Sequence, residues 1–237
     1  FNVTVSTVEH LLAALYITGI DNAIIEIGNY EVPIMDGSSK EFVETIFRAG
    51  TKKQDVKRKF LKIKKNFKFQ DGEKKISIEP DNEGLKVDFQ LVYSNKVIGT
   101  QSNQINFSDT DLTNVYTSRT FCLFEDIEEI KKNGLAKGGT LENAVVVKGN
   151  EILNTEGLRN DKEFVNHKIL DLAGDFLLSG YRILGSVKCT QGGHSLSNLF
   201  LRAFFKDHSN FQIIEHEKSV ATENYFKTSA NKLTVNA

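Results

Sequence analysis

A chain of 237 residues can bury one large core or two smaller ones. Its 40% hydrophobic and 26% charged residues are those of a soluble globular protein, and a formal net charge of −1 gives no global field to gather nucleic acid. No apolar run approaches the roughly 20 residues that span a bilayer, no signal-peptide pattern is visible, and Cys122 and Cys189 lack ligand spacing, so they read as buried free thiols of a reducing, cytoplasmic protein.

In chain order, Phe1, Val3 and Val5 alternate with polar residues as in a half-buried strand, and a chain opening there without Met leads us to expect an N-terminal truncation. Ser6 or Thr7 then caps a helix running to about Thr18 and stopped by Gly19. Glu9 three residues after Ser6 fits a capping box as readily as it fits chemistry. His10 is either a surface histidine or, because a helix start disfavours imidazolium, a neutral ring able to take a metal. Ala23–Ile27 reads as a strand, the segment from Pro33 to Ser38 as a turn, and Ser38–Arg48 as a helix ended by Gly50. The lysine-rich stretch Thr51–Phe69 reads as a linker entering an edge strand. The change of character near residue 55 divides the chain into a first domain over 1–54, a second over 55–206 and a tail over 207–237 without clear periodicity.

Within the second domain, residues 76–78, 85–93 and 101–107 read as strands, 125–133 as a helix, 135–140 as a flexible loop and 144–147 as a strand. From Val165 to Asp175 the periodicity is helical. His167, Asp171 and Asp175 share one stripe with Lys168 at its edge, while Ile169, Leu170, Leu172, Ala173 and Phe176 form the opposite face. Ile183–Thr190 is a strand, and the turn from Gln191 to His194 opens a last helix carrying Leu196, Leu199, Phe200, Ala203 and Phe204.

An imidazole and a carboxylate one helical turn apart can reach one cation, and a catalytic zinc site takes three protein ligands with a position left for water. His10, His167 and Asp171 would supply those ligands, Glu9 a base, and His194 a proton donor kept charged by Asp175. Spacing leaves the alternative open that the stripe is simply the solvated face of an amphipathic helix.

Eight motifs succeed one another: S-T-V-E-H-L from Ser6, I-D-N from Ile20, P-I-M-D-G-S from Pro33, S-R-T-F from Ser118, G-L-A-K-G-G from Gly134, L-N-T-E-G-L from Leu153, F-V-N-H-K-I-L-D from Phe164 and G-H at Gly193. Together they resemble the UDP-3-O-acyl-N-acetylglucosamine deacetylases, zinc enzymes acting at the committed step of lipid A biosynthesis. The resemblance implies an α+β fold of two α/β sandwich domains, each a sheet with two helices, the helices packed between the sheets. It implies Zn²⁺ on His10, His167 and Asp171, Glu9 as general base, His194 assisting departure of the amine, Asp175 orienting His194, and Thr120 stabilising the oxyanion. Lys168 would touch the polar head of the UDP-sugar substrate and Tyr93 would stack on its uracil. An inserted unit over 124–146 would form a passage for the acyl chain, walled by Phe124, Ile127, Ala136, Leu141 and Val146. A monomer acting on a small lipid-bearing molecule is implied, with neither nucleic acid nor a transmembrane segment.

Several positions depart from the family pattern, Tyr93 conservatively, in place of another aromatic. Asn95-Lys96 stands where a His-Pro pair is usual, Cys122 where a glycine follows Thr-Phe, and Gln191 where a lysine would approach the substrate diphosphate. A metallopeptidase is disfavoured by the lack of His-Glu-x-x-His. A catalytically silent relative that binds nucleotide or lipid is disfavoured by the presence of Glu9, Thr120 and His194.

Overall fold

A computed structural model describes residues 3–109, 111–132 and 138–216. Helix α1 (Glu9–Thr18) ends where Gly19 turns left-handed, with φ 72°, and sends its N–H back to the Tyr16 carbonyl. Its start differs from the expected capping box. Ser6 donates its hydroxyl to the Tyr30 carbonyl (3.2 Å), Thr7 donates to Glu31 (2.6 Å), and Val8, which carries no capping group, occupies the cap position. The bridge between Ser6 and Glu31 draws this segment out of capping register, which leaves the Glu9 carboxylate available. Helix α2 (Lys40–Ala49) ends at Gly50 and packs on α1.

The strand expected at Ala23–Ile27 is not formed. That segment finds no partner strand among the described residues, so its alternation is not realised and Ile24 is 95% exposed. Beyond α2 the chain becomes strand-rich, with β1 (Arg58–Ile63), β2 (Phe67–Asp71), β3 (Lys74–Pro80), β4 (Leu85–Val92) and β5 (Thr100–Asn106). A short helix α3 (Thr113–Tyr116) leads to β6 (Phe121–Leu123), then a 3₁₀ turn at Phe124–Asp126 and α4 (Ile127–Lys132). The small strands β7 (Val145–Lys148) and β8 (Glu151–Ile152) precede α5 (Glu163–Leu177), β9 (Arg182–Thr190), α6 (His194–Phe204) and β10 (Phe211–His216).

Strand β9 is the hub of a seven-stranded sheet. Its first residues run parallel to β1, and the rest lies between antiparallel β3 and parallel β4. Strands β2 and β5 pair outside β3 and β4. Strand β10 pairs antiparallel with β1, so the sheet extends into residues whose weak periodicity suggests only a tail. Period-2 burial along β4 turns Leu85, Val87, Phe89 and Leu91 inward. Against that face lie α5 and α6, with Phe164, Ile169, Phe176, Phe200 and Phe204 fully buried. Strands β6, β7 and β8 make a separate small sheet. The whole is the α+β class expected from the sequence: helices gathered on one face of a mixed sheet, with α1 packed on the far side of α5.

Candidate metal centre

The close approach of α1 and α5 creates the site. At Gly174 a side chain would overlap the carbonyl oxygen of Glu9, so only glycine lets the two backbones meet there. That contact brings His10 of α1 beside His167 and Asp171 of α5. One ligand atom from each lies within 4.8 Å of the others, and all three residues are buried. The two imidazoles meet edge to face, with ring centroids 5.0 Å apart. Asp171 Oδ1 lies 3.3 Å from His167 Nε2 and 3.6 Å from His10 Nε2.

The His167 ring is held from behind, and His10 through its backbone. His167 Nδ1 lies 3.0 Å from the Ser118 carbonyl, which fixes the proton on Nδ1 and leaves Nε2 bare. The Ser39 hydroxyl donates to the His10 carbonyl at 2.7 Å. Burial pushes the His167 pKa down to about 3, so this ring is neutral at physiological pH. Burial alone would raise the Asp171 carboxyl, but it is held well below the usual range, with the Lys168 ammonium 2.9 Å from Oδ2 as the charged neighbour. Lys168 is itself penalised by burial, and Asp171 more than offsets this, so it stays charged.

The donor set passes a direct test of fit to a cation. Asp171 Oδ1 and His10 Nδ1 are buried without any hydrogen-bond partner, a costly arrangement unless something positive is coordinated nearby. A neutral imidazole, an ionised carboxylate and a second imidazole facing one point are what a divalent metal of the zinc type takes up.

Beside this cluster His194 Nδ1 lies 2.9 and 3.0 Å from the two Asp175 oxygens, and its Nε2 is 3.7 Å from Glu9 Oε1. The hydrogen bond to Asp175 is the main cause that pushes the His194 pKa up to about 9. Thr120 is fixed through its backbone: its N–H donates to the Gly37 carbonyl (2.7 Å) and its carbonyl accepts from Val145 (2.8 Å). Gly37, at φ 80°, has no room for a side chain against Asn143.

The remaining expected residues are more dispersed. Tyr93 is half-exposed and touches the edge of Phe121. Gln191, at φ 53°, donates to the Val92 carbonyl at 3.3 Å, next to Tyr93. In the inserted unit Phe124 and Leu141 are exposed, Ile127 is half-buried and Val146 is buried in β7, while Ala136 lies outside the described residues. Lys148 covers the Phe124 ring. Sequence reasoning misses Phe121, which the structure sets between Phe164 and His167 with Lys168 Nζ 5.6 Å from its ring centre. Its position directly after Thr120 is the available signal.

The sequence is similar to those of known proteins. A family model described as UDP-3-O-acyl N-acetylglycosamine deacetylase matches residues 2–206. A UDP-3-O-acyl-N-acetylglucosamine deacetylase of Idiomarina loihiensis is 42% identical over 224 residues, covering 93% of this chain and 73% of the relative. Proteins of the same name from Geobacter sp. strain M21 (43% over 213 residues, 90% and 70% covered) and Pseudomonas entomophila (41% over 233 residues, 97% and 77% covered) are similar throughout. With the match running across both helices of the ligand cluster and through the strands between them, the chain belongs to the UDP-3-O-acyl-N-acetylglucosamine deacetylase family.

Proposed function

We propose that this chain is a zinc-dependent amidohydrolase that removes the N-acetyl group of UDP-3-O-acyl-N-acetylglucosamine, the committed step of lipid A biosynthesis, and works as a monomer in the cytoplasm. The observation that carries the reading is the junction of a buried His10–His167–Asp171 cluster with a Glu9–His194–Asp175 row. Two imidazoles and a carboxylate also suit iron(II); amide hydrolysis involves no electron transfer, and zinc meets its needs. When bound, the cation supplies Lewis acidity, acidifying water and polarising the acetyl carbonyl.

The rest falls to the side chains. Glu9 takes the proton that water loses as its oxygen adds to the acetyl carbon. Thr120 donates a hydrogen bond to the oxygen that gains charge. His194, an imidazolium near neutral pH, offsets the same charge and then gives its proton to the departing glucosamine nitrogen as the C–N bond breaks, which leaves acetate. Asp175 holds that ring in place and charged. The same reading has Lys168 and Tyr93 meeting the polar end of the substrate, with Gln191 supplying a hydrogen bond but no charge toward the diphosphate. Phe124, Ile127, Leu141 and Val146 then wall the acyl passage, where each buried CH₂ adds about 0.8 kcal/mol.

The test is elemental analysis of the purified chain joined to an assay of acetate release from the UDP-sugar. Stoichiometric zinc with turnover that is lost in His167→Ala supports the proposal. Tight substrate binding without acetate release would favour a silent binding relative instead.

A further inference from the structure

The family-like motifs around Arg119 contain a buried ion pair to which the reaction gives no part. Arg119 is 1% exposed and Glu163 0%. Arg119 Nε donates to Glu163 Oε1 at 2.8 Å and Nη2 to Oε2 at 3.2 Å, while the Arg119 backbone N–H also reaches Oε1 at 3.0 Å. Glu163 Oε2 accepts a further bond from the Arg159 N–H at 2.6 Å. The guanidinium completes its set on the Gly157 carbonyl (2.7 Å) and the Glu156 carboxylate. Buried ion pairs seldom stabilise a protein more than well-packed apolar residues would, so what distinguishes this one is the geometry it imposes.

That geometry bears on both neighbours of Arg119. Ser118 presents its carbonyl to His167 Nδ1, and Thr120 is the proposed oxyanion donor. Glu163 stands one helical turn before His167 on α5. One carboxylate thus ties the strand-side segment bearing Ser118 and Thr120 to the helix bearing His167 and Asp171. We infer that Arg119 and Glu163 are positioning residues, which hold the Ser118 carbonyl against His167 so that its ring keeps the proton on Nδ1 and turns Nε2 toward Asp171 and His10. Without the carbonyl, a histidine in water favours the opposite tautomer, with the proton on the nitrogen that must stay bare. The inference rests on the reading of His167 as a metal ligand.

The experiment compares Arg119→Lys and Glu163→Gln with the unmodified chain. Ring-¹⁵N histidine spectra of the metal-stripped proteins report the His167 tautomer, and chelator competition reports zinc affinity. Loss of the dominant Nδ1–H form together with a roughly 10–100-fold rise in the zinc dissociation constant is expected. A lower melting temperature with tautomer and affinity unchanged would make the pair a purely structural element and overturn the inference. Should neither variant fold, Glu156→Gln loosens Arg119 from its 53%-exposed partner without leaving a buried charge unpaired. Its zinc affinity should then fall by about two- to threefold, the size of an exposed ion pair, and no change there would overturn the inference too. An unmodified chain that binds no zinc would sink the proposed function, while the tautomer in the metal-free protein still decides the positioning question.

Discussion

Glu9 precedes His10 directly, yet the two side chains answer to different tests. Glu9→Gln keeps the size and the helix start, where no capping box depends on the carboxylate. Zinc content should therefore be retained while kcat falls by roughly 10²–10⁴-fold, the usual cost of losing a general base. Loss of metal in this variant would mean that Glu9 is a ligand and not a base. For His194 the prediction concerns pH. Its folded pKa, raised from 6.5 to about 9, means that the pair with Asp175 stabilises the fold fully below pH 6.5 and ceases to do so as pH rises through about 9. The ring is 52% exposed, so this is better followed by titration than by stability. Asp175→Asn should lower the His194 pKa in an NMR titration and move the alkaline limb of kcat/KM to lower pH; a limb that stays in place would separate His194 from that limb. These residues are legible in the sequence because chemistry and spacing coincide, with His167, Asp171 and Asp175 each one turn apart on a helix. Arg119 and Phe121 are not, since a buried arginine or phenylalanine looks the same in sequence whether it fills a core or aims a ligand.

Among elements, the crossing of α1 and α5 governs the site, and Gly174 governs the crossing. Gly174→Ala must push Glu9 and His10 away from Asp171 and Asp175. Overpacking of this kind costs about 1–3 kcal/mol, and a displacement near 1 Å can lower a rate by ~10²-fold. A melting curve together with zinc competition checks this: unchanged values in both would mean that the backbones do not meet at this point. The same elements show where sequence reasoning stops. Strands β3 and β4 can be read because one of their faces is buried and the alternation survives, while β9 is buried on both faces over most of its length and reads instead as an apolar run. The segment Ala23–Ile27 alternates no less clearly but has no pairing partner among the described residues, and a strand is a relation between two segments before it is a property of one. Strands β6 and β8 are three and two residues long, too short for a period to register. For β10, the deciding factor is the free edge of β1, which lies about 150 residues earlier in the chain and is invisible to any local window.

For the whole molecule, the ligand set is divided between two helices far apart in the sequence: His10 stands on α1, and His167 with Asp171 on α5, the helix packed on the seven-stranded sheet. A shared cation is therefore also a clasp between them. By linkage it should raise apparent stability by about 2.7 kcal/mol at a free concentration one hundred times its dissociation constant, seen as a melting temperature that climbs with zinc and stops climbing in His10→Ala. The relation is reciprocal, so anything that prises the two helices apart must weaken the grip on the metal. In rising urea the zinc should be shed first, with the sheet's circular dichroism still intact, and the reverse order on dilution would have the ion closing the molecule last. Seen this way the centre serves as a gauge of assembly: a chain whose parts have not met has nowhere to keep its metal, and therefore no means to act.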